Sequence, residues 1–530
     1  MTFGTRSTGS TSNQCQNVTI HNVSTIKLTK SLNARASADD DRKDTDLSSQ
    51  AEVDTVEEAE SSEAPAAREG SGSPGTEAAE QDLKQDSDGN EETSQDQEGD
   101  TDSATGKGDG SEEASDIGPH DASGTEAEAD VLVLAAAPGR DGAEAPEILL
   151  EGLEPPSSTA LEGLDINALV TLLPALGFSG AQDSVVRLPS SAVTAQGYRG
   201  PATILVVGVG TGWADTDPLA VTTDDEAALG YDQTGLLRRA AGRATRALAG
   251  TDSAVLALPT LCEEQLAAVA HGAALGAYSW SATKNEDRPG QEKTSKKTSP
   301  LTTISIISPL ADTPEGQEAL AGALALAQAT ALTRDLVNEP PNRLTPEVFA
   351  ERARAAGQEA GIRVEIWDAP ALVEQGFGGI LGVAQGSVHP ARLVRLEWSP
   401  EHATKGSGGQ AGSQVEGDGA AGRPKHVALI GKGITFDSGG LSLKPASSMP
   451  EMKSDMAGAA TVLGAIITAA RLALPMRVTA WLALAENMPG ADAQRPSDVI
   501  TMFDGTTVEV TNTDAEGRLV MADALARAVT

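Results

Sequence analysis

Short apolar runs alternate with longer segments of helical periodicity over most of the chain. Residues 131–134 (VLVL) and 204–210 (ILVVGVG) are continuous apolar runs with the length of buried strands. Residues 235–249 and 263–276 instead carry their apolar positions at helical spacing. Because strands that alternate with helices are typical of α/β folds, this pattern predicts an N-terminal α/β domain over residues 130–312.

An alanine- and leucine-rich stretch then predicts a helix within residues 313–345 that ends before Pro340 and Pro341. Beyond it, the apolar run 426–430 predicts a buried strand that stops at Gly431. A second predicted domain therefore covers residues 346–530.

The last part of the chain repeats the strand-to-helix order. Asp455 precedes a long small-residue segment, which predicts a helix with Asp455 at its N-terminus and Ser454 as its N-cap. Residues 508–510 predict a further strand, and helix-forming sequence follows from Leu519. The prediction for this domain is an α/β fold.

Charge is distributed unevenly. The chain has 77 acidic and 39 basic residues, a net charge of −38, and 31 of the acidic but only 6 of the basic residues lie between positions 31 and 130. That stretch contains no aromatic residue, so it cannot bury enough apolar surface to offset its ordering entropy. Residues 1–129 are predicted to be a disordered acidic tail, either a solubilising segment or an arm for a basic partner.

Composition also narrows the possible compartments and partners. No apolar run reaches the roughly 18 residues that a bilayer-spanning helix needs, and no secretory signal pattern begins the chain. Two cysteines, Cys15 and Cys262, do not make a disulfide framework and indicate a reducing compartment. The acidic balance and the small size of the basic patch in 283–300 argue against a nucleic-acid partner.

Two short runs concentrate charge among glycine, serine and small apolar residues: 431–455 (GKGITFDSGGLSLKPASSMPEMKSD) and 512–518 (NTDAEGR). Their charged residues of interest are Lys432, Asp437, Lys444, Asp455, Asp514, Glu516 and Arg518. Gly439 and Gly440, just after Asp437, allow close backbone approach. Loops at the ends of strands meet at the edge of an α/β sheet where ligands bind, so we expect these side chains to converge.

Four carboxylates at one point repel one another unless cations lie between them. A pair of divalent ions roughly 3.5–4 Å apart resolves that repulsion. Oxygen ligands suit magnesium, manganese or calcium, and the lack of nearby histidine and cysteine argues against an ordinary zinc site. Lys432 can be a ligand only as a neutral amine, whereas Lys444 and Arg518 suit the polarisation of a carbonyl and the binding of an anion.

Each of these residues has a simpler interpretation on its own, and only their joint spacing favours a metal centre. The simpler roles are a solvated loop residue for Lys432, a turn for Asp437, a helix cap for Asp455, core packing for Met452 and a surface ion pair for Glu516 with Arg518.

The two runs together resemble the signatures of the leucine aminopeptidases, the cytosolic di-metal exopeptidases of peptidase family M17. The hallmark octapeptide NTDAEGRL is present without a change at residues 512–519. The resemblance implies that Lys432 and Asp455 bind one divalent ion, zinc or manganese. It further implies that Asp514 binds a second such ion and that Asp437 and Glu516 bridge the two.

The same resemblance assigns the remaining motif residues. It implies that Lys444 polarises the scissile carbonyl, that Arg518 holds a bicarbonate ion as proton shuttle, and that Met452 lies at the S1 pocket. It also implies that residues 313–345 link the two domains and that the catalytic domain is built around a central mixed sheet. The family is further expected to form a cytoplasmic homohexamer that acts on peptides. Because the catalytic domain of the family continues past this motif, the chain ending at Thr530 is expected to be incomplete at its C-terminus.

The function expected from these observations is hydrolysis of the N-terminal peptide bond by a water that bridges two metal ions. The resemblance adds a preference for leucine and similar bulky apolar residues. Two other classes remain open: a phosphoester hydrolase, for which a lysine ligand would be unusual, and a catalytically silent binding or scaffold protein.

Overall fold

The computed structural model describes residues 24–29, 129–140, 143–153, 160–215, 233–283, 299–400 and 425–530. Most of the predicted acidic tail lies outside these described residues. The strands are β1 (Ser24–Thr29), β2 (Val131–Ala137), β3 (Glu147–Leu149), β4 (Val185–Pro189), β5 (Thr203–Gly208), β6 (Ser253–Ala257), β7 (Thr303–Ser308), β8 (Arg363–Trp367), β9 (Arg392–Trp398), β10 (His426–Asp437), β11 (Arg477–Asn487), β12 (Val499–Thr501) and β13 (Thr507–Glu509).

The α-helices lie between these strands and after the last of them. They are α1 (Ile166–Leu172), α2 (Gly212–Asp215), α3 (Gln233–Ala247), α4 (Glu263–Ala277), α5 (Pro314–Asn338), α6 (Pro346–Glu359), α7 (Ala369–Gln375), α8 (Gly378–Ala384), α9 (Ala457–Arg471) and α10 (Glu516–Ala528). No helix among the described residues has the length and apolar character to cross a membrane.

The N-terminal sheet has the strand order β1-β7-β6-β2-β5-β4, with β3 paired to β2. Strands β7, β6, β2 and β5 are parallel to their neighbours in this central part. Both faces of β2 are buried: Val131 and Val133 belong to the apolar cluster that includes residues of α3 and α4, and Leu132 and Leu134 belong to the cluster on the opposite side. The predicted strands and helices of this region are confirmed.

Strand β1 lies within the segment predicted to be a disordered tail. It pairs antiparallel with β7, with Ile26 opposite Ile306. Its sequence, STIKLT, alternates polar and apolar residues as a strand with one apolar side does. The sequence did not predict this strand, because the strand that pairs with it lies far along the chain and composition alone does not reveal the pairing.

The C-terminal sheet has the order β10-β11-β9-β8. Strands β10 and β11 are parallel, whereas β11 with β9 and β9 with β8 are antiparallel, so the sheet is mixed as predicted. One face packs through Phe349 of α6 and Leu463 of α9. The other face packs through Ile380 of α8 and Val520 of α10. Two sheets with helices packed against them confirm the α/β class.

Helix α5 is the long helix that the alanine- and leucine-rich pattern predicted, and it lies between the two sheets in chain order. Its N-cap Thr313 accepts a hydrogen bond from the amide of Gly316, and a proline occupies the first turn. In its C-terminal third, the Thr333 hydroxyl donates to the carbonyl oxygen of Ala460 on α9 at 3.1 Å. The helix ends at Asn338, before the two prolines.

Strand β10 is longer and more exposed than the sequence predicted. It does not stop at Gly431 but continues to Asp437, so Lys432 lies inside the strand, opposite Ala483. Gly431 lets the start of α9 approach, because a Cβ atom there would lie 2.6 Å from the Cα of Ala459. The first residues of β10 are exposed because the strand lies at the edge of its sheet.

The predicted cap of the next helix is also wrong. Residues Ala446–Ser454 form a 3₁₀ segment, and the Ser454 hydroxyl donates to the carbonyl oxygen of Glu451 at 2.6 Å instead of capping a helix. Helix α9 begins at Ala457, with Met456 at its N-cap position and no side-chain cap. Asp455 lies at the junction between the 3₁₀ segment and α9.

A buried carboxyl group fixes α10 to the rest of the C-terminal part. Asp523 is fully buried and accepts hydrogen bonds from the amides of Ile380 and Phe503, both at 2.9 Å. We expect Asp523→Ala to lower the free energy of unfolding by about 2–4 kcal/mol, since each buried donor left without a partner costs roughly 1–3 kcal/mol. Chemical denaturation of the variant beside wild type at pH 4 measures this difference.

The same carboxyl group gives the difference a pH dependence. Burial raises the pKa of Asp523 above its ordinary value of 3.8. The contribution of Asp523 to the free energy of unfolding is therefore complete below pH 3.8. It decreases as the pH rises through the raised pKa of the folded state. The gap between wild type and Asp523→Ala should narrow from pH 4 to pH 7, while Asp492→Ala, at an exposed position, should match wild type throughout. A gap that widens with pH would contradict this assignment.

Candidate metal centre

The two charged runs meet at the carboxyl edge of the C-terminal sheet. Strand β10 ends at Asp437 and the parallel strand β11 ends beside it at Asn487. Asp514 lies in a 3₁₀ turn, Thr513–Ala515, and Glu516 is the first residue of α10, which begins earlier than the predicted Leu519. This edge is where ligands bind in α/β sheets.

Three carboxylates converge at this edge. Asp437, Asp514 and Glu516 each place an oxygen atom within 4.8 Å of the others. Asp437 and Glu516 are each only 2% exposed, whereas the side chain of Asp514 is 32% exposed. The cluster is therefore buried on one side and open to solvent on the other, as a centre that receives a ligand requires.

Two lysines lie among the three carboxylates and a fourth one, that of Asp455. The Lys432 ammonium lies 2.8 Å from Asp455 Oδ2 and 2.8 Å from Glu516 Oε1. The Lys444 ammonium lies 2.8 Å from Asp437 Oδ2 and forms a second ion pair with Asp514. Each ammonium therefore bridges two carboxylates and supplies the positive charge that the cluster needs.

The pairing sets the protonation of both lysines and of Asp455. Burial by itself lowers the pKa of Lys432, but hydrogen bonds to Asp455 and Glu516 outweigh it and raise that pKa above the ordinary value. The pKa of Lys444 is raised in the same way by Asp437 and Asp514 against the effect of burial. Burial raises the pKa of Asp455 to about 6, and Lys432 offsets only part of that increase. Both lysines therefore carry a proton in this arrangement.

Gly439 and Gly440 have positive φ angles of 86° and 65°. The Gly439 amide donates to Asp437 Oδ1 at 3.0 Å, and a Cβ atom at Gly439 would lie 3.0 Å from Asp514 Oδ1. This confirms the close backbone approach predicted for the glycine pair, which turns the chain directly against two of the carboxylates.

Two residues from the sequence motifs lie outside this ion-pair cluster. Arg518, the third residue of α10, is exposed and forms no ion pair or hydrogen bond with any residue that the structure describes. The simpler reading of an ion pair between Glu516 and Arg518 is therefore not supported. Met452 is half-buried in the 3₁₀ segment, where its carbonyl oxygen accepts from the Asp455 amide at 3.3 Å, so it is not a core residue.

Sequence reasoning missed Asn487, which is 1% exposed. Its side-chain amide donates to Asp437 Oδ1 at 2.8 Å and to the carbonyl oxygen of Thr513 at 3.0 Å. The signal that identifies Asp437, a polar residue that follows an apolar strand, is present here too, because Asn487 ends the apolar run of β11. Only the parallel pairing of β10 with β11 shows that the two ends coincide.

The donor set fits divalent cations. Glu516 Oε2 is buried and has no hydrogen-bond partner among the residues that the structure describes, an arrangement that is costly unless a cation binds there. Carboxylate oxygens from Asp437, Asp455, Asp514 and Glu516 suit hard divalent ions. Lys432 could add a nitrogen donor after losing its proton. Fold and site together thus define an α/β protein with a carboxylate-rich candidate metal centre.

Comparison with known proteins agrees with this class. Residues 331–530 match the model of the cytosol aminopeptidase family, catalytic domain. The probable cytosol aminopeptidase of Micrococcus luteus is 44% identical over 400 residues, which cover 76% of this chain and 68% of the relative. The corresponding protein of Streptomyces griseus is 43% identical over 412 residues, 77% of this chain and 71% of the relative. The chain belongs to the cytosol aminopeptidase family, peptidase family M17, whose members are metal-dependent aminopeptidases.

Solved structures give the same relationship. The structure of the bottromycin maturation enzyme BotP in complex with Mn is 32% identical in sequence, with a TM-score of 0.54. The match covers 76% of this chain and 69% of that structure.

Proposed function

We propose that the chain acts as a di-metal aminopeptidase that hydrolyses the N-terminal peptide bond of peptides, with a preference for leucine and similar bulky apolar residues. The observation that carries the proposal is the convergence of Asp437, Asp514 and Glu516 within 4.8 Å at the sheet edge. Membership of the cytosol aminopeptidase family supports the reaction class. A cytoplasmic location and assembly as a homohexamer belong to the same proposal.

Five side chains would hold the two ions. Lys432 and Asp455 would bind one ion, and Asp514 would bind the other. Asp437 and Glu516 would each bind both ions. When bound, such ions activate water and polarise the scissile carbonyl. Zinc and manganese are both candidates, and the Mn complex of BotP supports the second. Because Lys432 is protonated between Asp455 and Glu516, it must release a proton before its amine can act as a ligand.

Lys444 and Arg518 would serve the substrate. As an ammonium, Lys444 can donate to the oxygen of the scissile carbonyl as negative charge develops there. In the present arrangement that ammonium is held by Asp437 and Asp514. Arg518 is exposed and unpaired among the described residues, so its guanidinium is available to an anion such as bicarbonate. Met452 would contact the substrate's first side chain.

Metal removal tests the proposal directly. Wild type stripped of metal with a chelator should lose hydrolysis of leucine p-nitroanilide, and added manganese or zinc should restore it. The reason is that the lysine and arginine side chains of the centre cannot activate water in place of metal ions. Leucine, alanine and glutamate anilides compared at equal metal load measure the side-chain preference.

Two outcomes would replace the proposal. Metal-dependent hydrolysis of p-nitrophenyl phosphate without hydrolysis of any aminoacyl anilide would favour a phosphoester hydrolase. Tight metal binding without hydrolysis of either substrate would favour a binding or scaffold protein.

A further inference from the structure

We infer that Asn487 is a positioning residue that holds Asp437 and the loop bearing Asp514 in one fixed relation. The inference rests on the proposed function, because it takes these two carboxylates as metal ligands. It concerns a residue that contacts neither substrate nor ion and acts through Asp437 and the Thr513 backbone.

Asn487 connects the ends of both charged runs through its own atoms. Its Nδ2 donates to Asp437 Oδ1 at 2.8 Å and to the Thr513 carbonyl oxygen at 3.0 Å, so both of its amide hydrogens are used. Its backbone carbonyl oxygen accepts from the amide of Ser438 at 3.0 Å and from the Ser438 hydroxyl at 2.8 Å. One buried residue therefore binds β10, the loop after it and the 3₁₀ turn.

These contacts make the two oxygens of Asp437 different. Oδ1 accepts from Asn487 and from the Gly439 amide, at 2.8 Å and 3.0 Å. Oδ2 lies 2.8 Å from the Lys444 ammonium, towards the centre. Because Oδ1 is held from two directions, the carboxylate cannot rotate without breaking two buried hydrogen bonds. Asn487 thus keeps Oδ2 on the side of Lys444, as the atom of Asp437 that would bind the proposed ions.

The second loop is held by the same arrangement. The Thr513 hydroxyl donates to the Gly439 carbonyl oxygen at 2.6 Å and accepts from the Ser442 amide at 2.8 Å. The hydrogen bond from Asn487 to the Thr513 carbonyl oxygen adds a contact from β11. Asp514, the next residue, is therefore fixed relative to Asp437 through the hydroxyl and carbonyl groups of Thr513, and its carboxylate is paired with the Lys444 ammonium.

An amide side chain is required at position 487 because both of its hydrogen-bond partners, Asp437 Oδ1 and the Thr513 carbonyl oxygen, are acceptors. Aspartate has nearly the same shape but donates nothing when ionised, and it would add a negative charge beside Asp437. Alanine removes the donor without adding charge. Loss of a partner that orients a metal ligand typically costs roughly 10–100-fold in metal affinity or activity.

The test compares Asn487→Asp and Asn487→Ala with wild type and with a matched control, Thr479→Val. Thr479 is a buried, hydrogen-bonded residue of the same strand, about 26 Å from Asn487 at roughly 3.3 Å per residue. Each metal-free protein is titrated with Mn²⁺ by calorimetry, and kcat and KM for leucine p-nitroanilide are then measured at saturating Mn²⁺. Circular dichroism of the metal-free proteins identifies any variant that does not fold.

We expect both Asn487 variants to bind Mn²⁺ roughly 10–100-fold more weakly, with the larger loss in Asn487→Asp, and we expect Thr479→Val to match wild type. Asn487→Asp keeps the side-chain volume, so it carries the test if Asn487→Ala does not fold. Folded Asn487 variants with wild-type Mn²⁺ affinity would overturn the inference. Wild type that binds Mn²⁺ but hydrolyses no anilide would overturn the proposed function alone, and wild type that binds no Mn²⁺ would overturn both.

Discussion

Glu516→Gln should abolish metal-dependent hydrolysis of leucine p-nitroanilide and remove most of the metal binding. Glu516 is 2% exposed, its Oε1 lies 2.8 Å from the Lys432 ammonium, and its buried Oε2 finds no hydrogen-bond partner in the described part of the chain. Glutamine keeps the shape of the side chain but loses the negative charge at the position proposed to contact both ions. The loss should exceed the roughly 10–100-fold that removal of an outer partner costs. Steady-state kinetics and metal analysis of dialysed protein measure it.

A control for this variant is available in the same part of the chain. Glu509→Gln changes an exposed glutamate on β13 and should leave both metal content and hydrolysis at the wild-type level. Asp437→Asn, the other proposed bridging position, should reproduce the loss seen with Glu516→Gln. Full activity with normal metal content in Glu516→Gln or in Asp437→Asn would exclude the di-metal assignment.

Lys444→Met should lower kcat by about 10²–10³-fold, the usual effect of removing one donor to a developing oxyanion. Its metal content at saturating Mn²⁺ should stay at the wild-type level, because the proposal gives Lys444 no ligand role. The measurement is kcat and KM for leucine p-nitroanilide together with bound manganese per chain. A variant that loses metal and activity together would show that Lys444 builds the centre and does not act on the substrate.

The ion pairs of Lys444 add a second readout. Without metal, Lys444→Met leaves Asp437, which is 2% exposed, without its ammonium partner, and breaking a buried pair in this way is strongly destabilising. Added Mn²⁺ should therefore raise the melting temperature of Lys444→Met more than that of wild type. Lys425→Met, at an exposed lysine just before β10, should respond to Mn²⁺ as wild type does.

Local pattern was sufficient for much of the fold. The buried parallel strands β2 and β5 are continuous apolar runs, and helices α3, α4 and α5 follow their helical periodicity within a few residues of the predicted bounds. These elements are buried on the faces that their sequence indicates, so the hydrophobic pattern and the tertiary structure agree. The edge strand β10 was predicted less well, because its apolar first residues are exposed at the sheet edge, whereas the strand continues and becomes buried in the glycine- and charge-containing residues after them.

The candidate centre, like the fold, was predicted from the sequence only in part. The spacing of Asp437, Asp514 and Glu516 and their place after strands predicted a carboxylate cluster, which the structure brings together. Which ammonium lies between which carboxylates could not be read from spacing, since Lys432 lies inside β10 and reaches a residue 84 positions further on. The contribution of Asn487 was also hidden, because it depends on the register of β10 against β11.

The sequence by itself determined the alternating elements, the acidic character of the N-terminal segment and the set of side chains able to bind metal, since each depends on residues close together in the chain. The tertiary structure decided the pairing of β1 with β7, the continuation of β10 past Gly431, the ion-pair partners of the two lysines and the position of Asn487. These features depend on strand register and side-chain burial between segments distant in sequence. Local periodicity carries no information about such distances, and for that reason only the folded chain specifies them.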